Sequence, residues 1–519
     1  MLIDLNEDRD AAQHEADLCI VGAGAAGIVL AHGLLDTDLR VLLLESGGLG
    51  LEPETQALGK GEISGLPYRA LHERRPRYFG GASNLWNGWC TTLEPVDFEA
   101  RDWVARSGWP LRPADLEPYY RRAQPLCELG RYGYTAPAWP ELALLPFEQF
   151  EHKFWQLSPP TRFGDVHRPD FARSQNVRVL LHANAVEIRM DPDARRVVAV
   201  DLANPAGLRT SVRARHFVVA CGGIETPRLL LASRSVRECG VGNEHDQVGR
   251  YFADHPHLVL GFAPAGRLEA SVMAAPPQIE GVRVRVGFGP TAEEQRARRL
   301  LNSAVTLEVH YGSPEFHAAR ELFQALRRAE WPAGGAEQMR AVGTRPGRVL
   351  ADIAAKLWRG YGLPSGFRLG VRSESVPDPE SRVRLGEKRD AVGVPCPVLH
   401  WQMGAQDKDS LLRTAELATV ELGRLGYGPI EVAEWLRDGN AWPEDLAAGQ
   451  HHLGTTRMSD DTKQGVVDRN GRVHGLSNLF VAGPSVFPTP GWANPTLTIA
   501  ALALRLADHL KTLFDTPNS

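Results

Sequence analysis

Cysteine is scarce and unpaired in this chain. Cys19, Cys90, Cys127, Cys221, Cys239 and Cys396 are scattered through 519 residues without a CxxC pair, which gives no support to a disulfide framework or a zinc knuckle and suits reduced thiols in the cytoplasm. No metal site is expected. Charge of one sign is also lacking: 58 Lys and Arg against 63 Asp and Glu leave −5, no footprint for a phosphate backbone or an anionic membrane surface. Nucleic acid is therefore not expected as a partner. Long apolar runs are missing too. The most apolar stretch, residues 495–514, is interrupted by Arg505, Asp508, His509 and Lys511 before the ~20 apolar residues of a membrane span accumulate. It reads as a buried helix. The first residues, MLIDLNEDRDAAQHEADL, are acidic and polar where an export signal is basic and then apolar. No block repeats at the roughly 20–50-residue period of solenoids.

What remains is a globular composition, 43% hydrophobic and 23% charged, in a chain long enough for two or three domains at roughly 100–200 residues each. From Asp17 the sequence runs DLCIVGAGAAGIVLAHGLL and then DTDLRVLLLESGG. The apolar runs at 18–21 and 41–44 do not alternate, as expected of parallel strands covered on both faces, and the whole reads as a βαβ unit. Residues 178–188 and 215–223 read as further strands of a nucleotide-binding domain, with a helix over 224–233. Residues 111–170 differ in texture, being rich in Pro, Trp and Tyr, and 260–310 alternates as antiparallel strands do. Residues 314–360 have helical periodicity and read as two surface helices or a lid.

Gly22-Ala23-Gly24-Ala25-Ala26-Gly27 follows the first strand and opens the helix. Gly22 allows the tight turn, Gly24 lets the backbone approach a pyrophosphate, and Gly27 lets helix and strand pack closely, with free N–H groups facing the negative charge. Glu45, 23 positions after Gly22, stands where a carboxylate accepts from a ribose hydroxyl, which favours FAD or NAD over NADP. A second GxG at Gly287-Phe288-Gly289 imitates this fingerprint and, if real, would make the chain a two-nucleotide NAD(P)H flavoprotein reductase. Arg283 and Arg285 on one face of that run argue against a strand buried on both sides.

Three further blocks carry a resemblance. Gly80-Gly81-Ala82-Ser83-Asn84-Leu85-Trp86-Asn87-Gly88, His451-His452-Leu453-Gly454-Thr455-Thr456-Arg457-Met458 and Gly491-Trp492-Ala493-Asn494-Pro495-Thr496-Leu497-Thr498 resemble, in order, the flavin loop, the HxxGTxxM block and the NPT block of glucose–methanol–choline (GMC) oxidoreductases. Val248-Gly249-Arg250, Asp254-His255-Pro256 and 377–383 are smaller echoes. The resemblance implies a Rossmann-like α/β FAD domain built from 1–110, 171–260 and 451–519. A substrate domain of mostly antiparallel sheet and helices, 111–170 and 261–450, would be inserted in it. It implies FAD at Gly22, Gly24, Ala25, Ala26, Gly27, Glu45, Gly81, Ser83, Asn87, Gly88, Val186, Gly483, Pro495 and Thr496. Leu85 stands where some members carry a linking histidine, so FAD is expected to be noncovalent, and Cys90 reads as a structural thiol.

Oxidising an alcohol requires a base, since removing hydride from a neutral carbinol leaves a protonated carbonyl. Histidine suits the task because its ordinary pKa, about 6.5, lies near working pH. His451 and His452 are both candidates, and alignment with the family block favours His451. Asn494 is the expected donor to the substrate oxygen, although Asn before Pro is also an apt N-cap for the last helix. The expected substrate is a small-molecule alcohol, with a sugar, glycoside or polyol favoured over a non-carbohydrate alcohol. Electrons would pass to O2 or to a quinone-type carrier. A redox-silent flavin-binding protein is the reading from a different class.

Overall fold

The computed structural model describes residues 1–7, 14–264, 272–273, 276–327, 331, 334–359, 363–439, 441–444 and 446–515. The two apolar runs of the βαβ unit become the parallel strands His14–Val21 and Val41–Leu44, with Leu18 beside Val41 and Val21 beside Leu44. Every residue of Val41–Leu44 is buried, which only a strand covered on both faces allows. Around this pair an eight-stranded sheet runs Leu2–Asp4, Val177–Leu181, Val41–Leu44, His14–Val21, Arg209–Val219, Val197–Ala203, Asn184–Met190. Leu479–Val481 also pairs in parallel with Arg209–Val219, and only Val197–Ala203 runs against the other strands, antiparallel to both its neighbours. Helices Ala25–His32 and Thr496–Asp515 pack against each other within the core of this sheet. The apolar stretch near the C-terminus is thus the expected buried helix, and no helix among the described residues is long and apolar enough to cross a membrane.

The run 178–188 is two strands and not one. His182 takes a left-handed φ of 54°, its N–H bonds Gly47 O at 3.1 Å, and its ring bonds Asp4 at 2.6 Å and Glu52 at 2.9 Å. The turn sends Val177–Leu181 and Asn184–Met190 to opposite edges of the sheet.

A second sheet of nine strands is antiparallel throughout, in the order Glu431–Val432, Pro256–Pro264, Pro364–Ser373, Ser303–Tyr311, Val282–Pro290, Phe150–Leu157, Trp89–Cys90, with Gln278–Ile279 and Ala447–Ala448 attached. Helix Ala405–Arg424 supplies Leu411, Ala415, Ala418 and Leu422 to its core. The GxG at Gly287 lies inside this sheet. Val282–Pro290 is antiparallel to both neighbours. A Cβ on Gly287 would meet Val305 O at 2.5 Å, and one on Gly289 would meet Ser303 O at 2.1 Å. These glycines let strands approach closely and open no parallel βαβ turn, so the two-nucleotide reading has no second site here.

Two further placements depart from the sequence reading. Helices Pro113–Leu126 and Phe163–Arg173 belong to the texture-defined segment 111–170, yet they pack on Thr496–Asp515 and Ala25–His32. The aromatic texture is there because it contacts those helices; Tyr120 Oη, for one, lies 2.9 Å from Thr498 Oγ1. The described residues of 314–360 hold three helices, Pro314–Arg327, Gly335–Thr344 and Pro346–Arg359, because Pro346 starts a new helix at a position where its missing N–H costs nothing.

Arg101 and Glu374, both buried, form a two-pronged ion pair at 2.8 and 2.6 Å, and Glu374 also accepts from Asn302 N at 3.2 Å. Losing one partner strands the other charge without water. Glu374→Ala is expected to lower unfolding free energy by about 3–5 kcal/mol in urea titration; a loss under about 1 kcal/mol would show that the pair is not what clamps this junction.

Candidate active site

A cavity of about 660 Å³ extends from the Gly22 turn to His451 and Asn494. Its nucleotide end is built largely of backbone. Gly22 has φ 106°, and a Cβ there would press on Ala220 O at 2.8 Å. A Cβ on Gly27 would lie 1.9 Å from Gly22 O, whereas one on Gly24 would meet nothing within 4 Å. Gly27 therefore serves packing, and Gly24 leaves its backbone open toward the cavity. A pyrophosphate fits there, because the start of helix Ala25–His32 has no side-chain cap and no acidic residue in its first turn. Glu45 closes the end of Val41–Leu44; it accepts from Ala23 N at 3.2 Å and from Gly47 N at 3.1 Å. Burial raises its pKa.

Of the residues expected at the cofactor, Gly22, Gly24, Ala25, Ala26, Glu45, Gly81, Ser83, Asn87, Gly88, Pro495 and Thr496 line this cavity. Gly483 stands just outside it, beside the lining residue Pro484. Val186 does not belong with them: it lines a separate surface cleft and packs near Leu58, Ala203 and Val394, while Ala183, Asn184 and Ala185 face the cavity. The pairing of Asn184–Met190 shifts register between Ala185 and Glu187, an irregularity that interrupts the alternation at Val186. Leu85 lines the cavity, whereas Cys90 is buried elsewhere, with burial and Cys127 driving its thiol pKa up.

At the other end the chain brings His451 and Asn494 together, 3.4 Å apart between Nε2 and Nδ2. The amide is oriented by Trp155, whose indole N–H donates to Asn494 Oδ1 at 3.0 Å. With Oδ1 taken, Nδ2 must face the imidazole, so His451 Nε2 carries a lone pair and Nδ1 the proton. That proton goes to His255 Nδ1 at 2.8 Å, and His255 Nε2–H is left for Pro490 O at 3.3 Å. Asn494 spends its side chain on these contacts and does not cap the helix, whose first backbone acceptor is Pro495 O, bonded by Ile499 N at 2.8 Å. His452 also lines the cavity, but its ring packs 6.0 Å from both Tyr68 and Phe252, and burial pushes its pKa down to about 3.

Burial, then His255, His257 and Arg372, hold the His451 imidazole well below 6.5. Asp254 organises the backbone beneath it: Oδ1 accepts from His451 N at 2.9 Å and from His255 N at 2.7 Å, Tyr68 Oη donates to Oδ2, and burial raises the carboxyl to about 6. Asp254 and His255 were visible in the sequence only as part of a small echo. Trp155, His257 and the ion cluster around Glu225 carried no signal. Burial alone would raise the Glu225 carboxyl, but Arg228, Arg75 and Arg77 together hold it below the usual carboxylate range.

Glu45→Ala removes the carboxylate between the first glycine turn and the start of 46–48. Loss of a hydrogen bond to a charged group predicts about a tenfold or greater rise in the FAD dissociation constant, measured by flavin absorbance after dialysis; full occupancy would remove Glu45 from cofactor retention.

Two GMC oxidoreductase family models match residues 168–257 and 377–503. The chain is 28% identical to paromamine 6'-oxidase of Streptomyces fradiae, over 95% of this chain and 90% of that one. It is 23% identical to the fructose dehydrogenase large subunit of Gluconobacter japonicus, over 95% and 97%. The crystal structure of a formate oxidase shares the fold at a TM-score of 0.56 and 17% identity, over 97% of this chain and 99% of that one. With the N- and C-terminal family models in order on one fold, the chain belongs to the GMC oxidoreductase family of FAD-dependent enzymes that oxidise CH–OH groups.

Proposed function

We propose that this enzyme oxidises a carbinol of a sugar, glycoside or polyol, with His451 as the base and Asn494 as the donor that holds the reacting oxygen. The observation that carries this reading is the 3.4 Å gap between Asn494 Nδ2 and His451 Nε2. One hydroxyl oxygen at about 2.8 Å from each can accept from the amide and donate to the imidazole. Asn494 then stabilises the charge that develops on that oxygen as its proton leaves. An imidazole held well below 6.5 is a weak base, so proton transfer is expected to accompany, rather than precede, loss of the carbinol hydrogen.

FAD, when bound, supplies the two-electron acceptor. The Gly22–Gly24 turn and the following helix would hold its pyrophosphate, Glu45 its ribose, and the 81–88 loop with Pro495 and Thr496 the ring end. Leu85 in place of a linking histidine supports noncovalent binding. The two named relatives supply the sugar-type reading, and as one is an oxidase and the other a dehydrogenase, the acceptor in this proposal is O2 or a quinone-type carrier. Six free thiols support a cytoplasmic setting. The 261–450 segment, on this reading, forms most of the substrate domain.

Anaerobic flavin reduction against sugars, glycosides, polyols and simple alcohols tests the reaction; a flavin that none of them bleaches overturns it. His451→Ala is expected to keep FAD and to slow reduction roughly 10²- to 10⁴-fold, and unchanged kinetics would remove His451 from the mechanism. The pH profile has a worked sign. Because the folded imidazole lies well below 6.5, it stays neutral as pH falls through 6.5, and the rate should show no inflection from it there. Asp254, raised to about 6 and bonded to the His451 backbone, is the neighbour of His451 that titrates in that window. An inflection near 6.5 that persists in Asp254→Asn but disappears with His451 would contradict the assignment.

A further inference from the structure

Among the described residues the fully buried arginines all have partners for the guanidinium, Arg457 donating to the carbonyls of Gln464 and Arg106. Arg101 meets Glu374, and Arg228 meets Glu225 and Asp390. Arg372, on strand Pro364–Ser373, lines the same cavity as His451 and Asn494 and has no hydrogen-bond or ion-pair partner among the described residues. It lies directly across the strand pair from His257, whose ring is 6.3 Å from that of His451. Its guanidinium carbon sits 4.3 Å from the centre of the Trp89 ring and 5.9 Å from that of Trp155, the residue that orients Asn494. Arg285 approaches the same Trp89 ring at 5.0 Å, so two cations share one aromatic plate. Glu308, the acid whose charge acts on Arg372, is already taken by Arg368.

This arrangement costs free energy as it stands. A guanidinium cannot lose its proton at neutral pH, and two of them side by side repel without a counter-charge. Burial, and then Arg285, pull the Arg372 pKa down to about 10. Stacking on tryptophan keeps the planar fork in place and leaves its N–H groups free for a planar or tetrahedral oxyanion. We infer that Arg372, backed by Arg285, is an oxyanion subsite, and that the alcohol presented to His451 and Asn494 carries a carboxylate or phosphate. The inference rests on the proposed carbinol oxidation for the place of the reacting carbon, while the anion subsite itself stands on Arg372 alone. The neutral aromatic wall would still accept the sugar or polyol body, so the substrate class becomes an acidic or phosphorylated polyol.

The test uses the FAD holoenzyme and two measurements. In the first, inorganic phosphate and acetate are titrated while the flavin spectrum is followed. Binding of at least one is expected in the wild type, weakened about 10- to 100-fold in Arg372→Gln, with Arg372→Lys between them. No spectral change with either anion, or equal affinity in Arg372→Gln, overturns the subsite. In the second, anaerobic flavin reduction is compared for glucose, glucuronate and glucose 6-phosphate. One of the anionic pair is expected to be preferred over glucose by about tenfold or more, a preference lost in Arg372→Gln; the preferred member tells carboxylate from phosphate. A neutral sugar reduced as well as both anions overturns the inference. Anion binding through Arg372 in a protein whose flavin no alcohol reduces would instead retain the subsite and defeat the carbinol reaction.

Discussion

The site depends on holding one neutral imidazole with its lone pair pointed at an amide. His451 cannot do this alone, because an imidazole in isolation exchanges tautomers and rotates. Here Nδ1 is committed to His255, which is committed to Pro490 O, and Nε2 is left facing Asn494. Asp254 fixes the backbone of both histidines at once. Trp155 comes from the antiparallel sheet and Asn494 from the segment before the last helix, so the indole-to-amide bond of 3.0 Å joins parts of both cores. The fold therefore exists, for chemistry, as a device that brings two cores to one oxygen-sized gap.

The nucleotide end is organised by a different constraint, the absence of side chains. Gly22, Gly24 and Gly27 each answer a separate demand: a φ of 106°, an open backbone, and a 1.9 Å conflict that any Cβ would create. Charge at that end is self-contained, because Glu225 gathers Arg75, Arg77 and Arg228. At the substrate end Arg372 has no such partner among the described residues. A cavity that sets Glu225 and Asp390 against arginines at one end and presents Arg372 at the other selects its ligand by charge as well as by shape.

The sequence was legible where the physics is local. A strand buried on both faces, a glycine turn and a following helix are all read within about thirty residues, and the βαβ unit is found as expected. The HHLG and NPT blocks pointed to His451 and Asn494 because short motifs place functional side chains on defined turns. What could not be read is what depends on partners distant in sequence. His255 lies 196 positions from His451, and Trp155 lies 339 from Asn494; no periodicity links them. Val186 falls outside the cavity at a register shift between Ala185 and Glu187, which an apolar run does not reveal. His182 broke an apolar run into two strands through a positive φ held by Asp4 and Glu52, which composition does not reveal. Arg372 carried no signal in the sequence, because the partners of a guanidinium come from neighbouring strands.

The most direct test of the central claim is the protonation pattern of one ring. Histidine-labelled FAD holoenzyme, with His451 assigned by loss of its signals in His451→Gln, reports the two ring nitrogens separately by nitrogen NMR at neutral pH. The account requires an unprotonated Nε2 and a protonated Nδ1. A proton on Nε2, or a doubly protonated ring, would contradict it, since neither leaves a lone pair for the substrate hydroxyl.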